Sequence, residues 1–179
     1  VYKRQVDGSK ASEITLENVS VPKENLLGEE GKALNTVSEV IDLATLAISA
    51  EAVGIMQKMN ELTLDYTKTR EQFGQALSKF QALQHRMVDT FMVHEQTKSL
   101  LLMAAAKMND KAADTSKSIS ALKYQIGSAA KLIGEESIQL HGGMGVTEEM
   151  SIGHYFKRLT TIRTIFGNSD YHLKRYSSL

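Results

Sequence analysis

From Leu34 onward apolar residues recur every three or four positions, the spacing that gathers one face of an α-helix. Val37, Val40, Ile41, Ala44 and Ile48 share that face, and Ala52, Met56, Met59 and Tyr66 continue it to about Lys68. A helix of that length spans about 50 Å. Gly74 is its expected stop. A second helix opens where Ser78 and Gln81 stand at capping-box spacing. Its face is Phe80, Leu83, Met87, Phe91, Leu101, Ala105 and Met108, and Met103 to Met108 reads as core. Asn109-Asp110 and Asp114-Thr115 mark a turn. A third helix carries Ile119, Leu122, Ile126, Ala129, Ala130, Ile133 and Leu140 until His141-Gly142-Gly143 breaks it. Thr147, followed by Glu148 and Glu149, reads as the cap and acidic first turn of a fourth. Gly167-Asn168-Ser169 is a further break, with Ser169 capping a last short helix.

Residues 1–32 follow another rhythm. Positions 14–21 alternate apolar and polar, the period of a half-buried strand. Residues 1–6 offer a second strand, turning through Asp7-Gly8. Two strands make no stable sheet, so this stretch reads as the tail of a β domain and a linker, and residues 33–179 as an antiparallel helical bundle. The single proline, Pro22, agrees, since its absence afterwards permits long helices. Val1 stands where an initiating Met is expected, which suggests the C-terminal piece of a longer protein.

Composition narrows the chemistry. Lys and Arg total 21 and Asp and Glu total 21, a balance that argues against a nucleic-acid surface. With no cysteine, disulfides, thiol nucleophiles, iron–sulfur clusters and Cys-type zinc sites are out. No apolar run approaches the ~20 residues of a membrane span, and no signal peptide is visible, so the expectation is a soluble, cytoplasmic protein with no membrane partner. Gly143-Met144-Gly145 begins a dinucleotide fingerprint but lacks its third glycine and follows a helix, so that reading fails on context. His94-Glu95 begins a metal motif that Lys98 ends.

Two segments keep a choice open. Arg70-Glu71-Gln72-Phe73-Gly74 reads either as a basic last turn with a glycine C-cap, or as a guanidinium fork for a phosphate or carboxylate. Gln139-Leu140-His141-Gly142-Gly143-Met144-Gly145 reads either as a helix–helix turn, or as a place where backbone amides approach a ligand.

Together these segments resemble the C-terminal helical domain of the acyl-CoA dehydrogenase family, over nearly the whole chain. Residues 17–22 and 25–28 resemble the exit from that family's middle β domain. Arg70 to Gly74 is similar to its Arg-x-x-Phe-Gly motif, and Gln139 to Gly143 to its Gln-x-x-Gly-Gly. Residues 50–54 and 154–160 look similar to the pimeloyl-CoA dehydrogenase small-subunit branch. The resemblance implies a mainly α, four-helix-bundle-type domain preceded by a short β remnant. It implies FAD-dependent oxidation of an acyl-CoA thioester in lipid metabolism, in a homo- or hetero-oligomer, with a dimer of dimers expected. An electron-transfer flavoprotein is the implied acceptor. By the same mapping Arg70 and Gln72 meet the FAD pyrophosphate of a neighbouring subunit, and Phe73, Phe80 and Gln81 line that cofactor. Gln139, Leu140, His141, Gly142 and Gly143 cover its adenosine side, and Ser169 is a further cofactor contact.

The departure concerns the base. The family's glutamate falls, by this mapping, at Gly167 or, in other members, at Ala44, and neither is a carboxylate. A positioned general base is worth roughly 10²–10⁴ in rate. Three readings follow: a subunit whose base sits on a partner chain, a self-sufficient enzyme with a base relocated to Glu51 or Asp170, and a non-catalytic helical scaffold.

Overall fold

In the computed structural model, which describes residues 3, 4 and 6–179, an α-helical bundle carries a short β hairpin at its amino end. Strands β1 (Lys3–Arg4) and β2 (Lys10–Ala11) pair antiparallel, with Lys3 opposite Ala11 and Arg4 opposite Lys10. The turn passes through Asp7 and Gly8 as expected, but Val1, Tyr2 and Gln5 lie outside the described residues. The strand expected over residues 14–21 is not formed. Ile14 and Leu16 stand 82% and 77% exposed, and among the described residues no strand lies beside them to take up their backbone groups.

Helix α1 (Ala33–Thr69) has 37 residues, about 55 Å. It is followed by α2 (Gln81–Asn109), α3 (Thr115–His141), α4 (Ser151–Ile162) and α5 (Ser169–Ser178). Side-chain contacts give the directions. Asn60 and Thr67 of α1 reach Thr90 and Met87 of α2, so these helices are antiparallel. Asp42 and Tyr66 of α1 meet Ser116 and His141 of α3, so those two run parallel. Helix α3 lies at the centre and packs against the other four. Its face of Ile119, Leu122, Ile126, Ala129 and Ile133 is buried as the spacing predicts, against Ala52, Met56 and Met59 of α1.

Elsewhere the apolar faces depart from expectation. Val37, Val40 and Ile41 of α1 and Phe91 and Met103 of α2 are exposed, while α2 buries Thr90, His94 and Thr97. Three caps differ as well. Ser78 sits inside a 3-10 turn (Leu77–Lys79), so its hydroxyl cannot cap α2; its carbonyl accepts from Gln84 instead. Thr147 lies four residues before α4 and donates to the Met144 carbonyl. Asn168, not Ser169, caps α5 by accepting from the Tyr171 amide at 2.9 Å.

Asp42 of α1 accepts both arms of Arg175 from α5, which pins the last helix to the bundle. No helix among the described residues is long and apolar enough to cross a membrane.

Candidate functional site

The carboxyl ends of α1 and α3 meet the amino end of α2. Helix α1 stops when Arg70 turns extended, at φ −78° and ψ 123°. The chain then reverses through β3 (Glu71–Gln72) and β4 (Gln75–Ala76). Gln72 pairs with Gln75, which leaves Phe73 and Gly74 as a two-residue turn with φ of +56° and +81°. Two left-handed central residues make this a type I′ hairpin. Gly74 therefore serves the hairpin and does not stop α1, which ends at Thr69. A left-handed conformation costs Phe73 about 1–2 kcal/mol. Its ring stands 90% exposed at the tip, edge-on to Phe80 with centroids 6.2 Å apart.

At the end of α3, Gly142 takes φ +59° and ψ −141°, a conformation essentially reserved for glycine. A Cβ on Gly142 or Gly143 would meet nothing within 4 Å, so the backbone there is open on that side. Between hairpin and glycine bend lies a cavity of about 550 Å³. Arg70 and Gln72 line one wall; Gln139, Leu140, His141, Gly142 and Gly143 line the other. Phe73, Phe80 and Gln81 do not line this cavity; Phe73 and Phe80 belong to the adjoining hairpin and turn, and Gln81 starts α2. Ser169 is elsewhere: it packs on Gly127, which precedes His141 by 14 residues of α3, or about 21 Å.

The charges of the cleft are unevenly committed. Arg86 is ion-paired to Glu136. The Arg70 guanidinium has no partner among the described residues. His141 is 3% exposed, its Nδ1–H donates to the Ser137 carbonyl at 2.8 Å, and its Nε2 has no partner among the described residues. Burial holds it below the ordinary histidine range, hence neutral at pH 7, and Tyr66 stacks on it at 4.4 Å. An uncommitted guanidinium fork fits the phosphates of a dinucleotide, and bare glycine backbone lets another part of it approach closely.

The second place singled out by sequence is the corner between α4 and α5. No residue from Ile165 to Ser169 carries a carboxylate. Phe166 and Gly167 are left-handed, with φ of +58° and +106°. A Cβ on Gly167 would lie 2.4 Å from Tyr171 Cδ1, so a longer side chain is excluded unless Tyr171 moves. Ala44 is half-buried on α1. Glu51 is occupied: Arg158 donates to both of its oxygens, at 2.6 and 2.9 Å, and to Asp7 at 2.8 Å. That clasp brings the Asp7 carboxyl down to about 2, with Ser9 donating as well. Asp170 is exposed in the first turn of α5, at a cavity shared with Arg163, Asn168 and Ser169.

Sequence reasoning passed over Lys123 and Arg158. Lys123 interrupts the buried face of α3 between Leu122 and Ile126, and a lysine in that register was the available signal.

Comparison with known proteins identifies relatives of the chain. The family model described as "Acyl-CoA dehydrogenase, C-terminal domain" matches residues 32–177. The chain is 30% identical over 169 residues to the caffeyl-CoA reductase-Etf complex subunit CarC of Acetobacterium woodii, covering 94% of this chain and 44% of that protein. It is 31% identical over 159 residues to the rat mitochondrial short-chain specific acyl-CoA dehydrogenase, covering 88% and 38%. Butyryl-CoA dehydrogenase from Megasphaera elsdenii superposes with a TM-score of 0.93 at 26% identity, over 99% of this chain and 47% of that one. The chain thus spans less than half the length of these relatives.

Proposed function

Because this chain belongs to the acyl-CoA dehydrogenase family through its C-terminal helical domain, we propose that it is the FAD-dependent dehydrogenase type of subunit whose own catalytic base is missing. In this reading residues 1–32 are the tail of a preceding β domain. The cleft at the end of α3 holds part of a dinucleotide, with Arg70 on its phosphates and the Gln139–Gly143 bend against its adenosine. Bound FAD supplies the hydride acceptor for oxidation of an acyl-CoA thioester. This chain orients the cofactor and closes the site, and the proton at the acyl α-carbon leaves to a carboxylate of a partner chain. Within the family the pimeloyl-CoA dehydrogenase small subunit is the type it follows.

One observation carries the reading: the receptive cleft sits in the same chain as two base positions, Ala44 and Gly167, without a carboxylate. A relative supports a multi-chain assembly: it is named as a subunit of a reductase–Etf complex. The full-length protein, purified alone and mixed with an acyl-CoA and an electron acceptor, should be yellow and turn over little; adding the partner chain should raise the rate about 10²–10⁴-fold. Robust turnover alone would reject the partner version. It would favour the second reading, in which Asp170 serves as base, and Asp170→Ala would then abolish the rate. Glu51 is the weaker substitute because Arg158 occupies both its oxygens. A colourless protein that binds no FAD would leave only the scaffold.

A further inference from the structure

Lys123 is 1% exposed and the largest fully buried side chain of the bundle, yet no carboxylate faces it among the described residues. Its Nζ donates instead to backbone: to the Ile162 carbonyl at 2.9 Å, the Gly167 carbonyl at 3.0 Å and, more weakly, the Arg163 carbonyl at 3.4 Å. These are the last carbonyls of α4 and the middle of the loop leading to α5. The loop holds the two left-handed residues Phe166 and Gly167. His172, from α5, grips the same loop by donating from Nε2 to the Phe166 carbonyl at 2.9 Å. Arg175 of α5 and Asp42 of α1 are the other charged groups nearby, and they are spent on each other.

An ammonium buried without a counter-ion costs stability, and an apolar residue at a site so enclosed would pack without that cost. What the lysine contributes that Met or Leu does not is directed donors to two separated carbonyls. We propose that Lys123 is a positioning residue: reaching from α3, it fixes the carbonyls of Ile162 and Gly167 and thereby the aim of the α5 amino end, where Asn168, Ser169 and Asp170 border the corner cavity. The proposal rests on the reading above, in which Gly167 is an empty base position and this corner therefore lies toward the reacting end of the cofactor.

The test uses the full-length protein with its partner chain and FAD, and amide hydrogen exchange resolved over residues 165–170. Lys123→Met leaves the two carbonyls without their N–H donor. Exchange there should quicken about 10- to 100-fold relative to α1 core amides, and the visible flavin band and its circular dichroism should shift. Unchanged local exchange with an unmoved flavin band would overturn the proposal and leave Lys123 as packing. A variant that fails to fold does not block the test, because the wild type alone titrates. Burial brings Lys123 from 10.5 down to about 8. A loop opening that wets Lys123 takes up a proton between those values, so it becomes harder as pH rises. Protection of residues 165–170, corrected for the intrinsic rate, should climb between pH 8 and 10.5 by up to about tenfold per unit; a flat profile overturns the coupling. The exchange measurement needs no flavin, so a colourless protein removes the flavoprotein reading while exchange still decides Lys123.

Discussion

At the carboxyl end of α3 Arg86 is paired with Glu136, but Arg70 has no partner among the described residues, His141 Nε2 has none, and Gly142 and Gly143 present bare backbone. About 21 Å back along the same helix, at the α4–α5 corner, the loop is held by its neighbours, although the buried Arg163 Nε and His172 Nδ1 have no partner among the described residues. Lys123 and His172 hold the loop carbonyls, Arg175 holds Asp42, and Tyr171 fills the space beside Gly167. One end of α3 leaves a guanidinium and a glycine backbone open, and the other fixes a loop through its carbonyls. That difference underlies the proposal that this chain lends a cofactor surface while the base sits on another chain.

The contrast can be broken most forcefully by supplying the absent carboxylate. Ala44→Glu, on a half-buried face of α1, should raise turnover of the protein without its partner by about 10²–10⁴-fold, measured with an acyl-CoA and a dye acceptor. No gain would mean that the vacancy is not what separates the two regions. Next, Arg70→Ala should weaken FAD retention about 10- to 100-fold by flavin fluorescence. Asp170→Ala should leave it within twofold, and equal losses would erase the distinction. Gly167→Ala should cost about 1–3 kcal/mol in urea unfolding, because an L side chain enters a left-handed residue against Tyr171. The smallest effect is on pH. Burial depresses both His141 and His172. The unfolded chain then binds more protons, so stability is full above the unfolded value of 6.5 and declines as pH falls from there toward the folded values. His141→Gln should remove one part of that decline and His172→Gln the other, in urea melts at pH 5 and 7.5.

The helices were readable because their apolar period is long and unbroken, most clearly in α3, where the face from Ile119 to Ile133 is buried throughout. Which apolar stripe faces inward was not readable for α2. There Thr90, His94 and Thr97 turn to the core and Phe91 turns out, and periodicity alone does not say which neighbour a stripe meets. The alternation of residues 14–21 signals a strand only where a partner strand exists. The Phe73-Gly74 hairpin was hidden because phenylalanine is a poor residue for a left-handed turn. The cleft residues from Arg70 to Gly143 were chosen by motif, and the fold gathers most of them; Ser169 it carries to the other region. Lys123 went unseen because a lone lysine normally signals solvent.

The meeting of two helix carboxyl ends at the cleft has a consequence for ionic strength. The aligned peptide dipoles of α1 and α3 present negative ends to whatever binds there, each disfavouring an anion by about 0.3–1 kcal/mol. The amino end of α2, which contributes Leu83 and Arg86, offsets part of this field. Attraction for phosphate therefore depends on one solvent-facing guanidinium working against the backbone. Such attraction is readily screened, so potassium chloride at a few hundred millimolar should loosen the grip on the proposed cofactor well before it disturbs the fold.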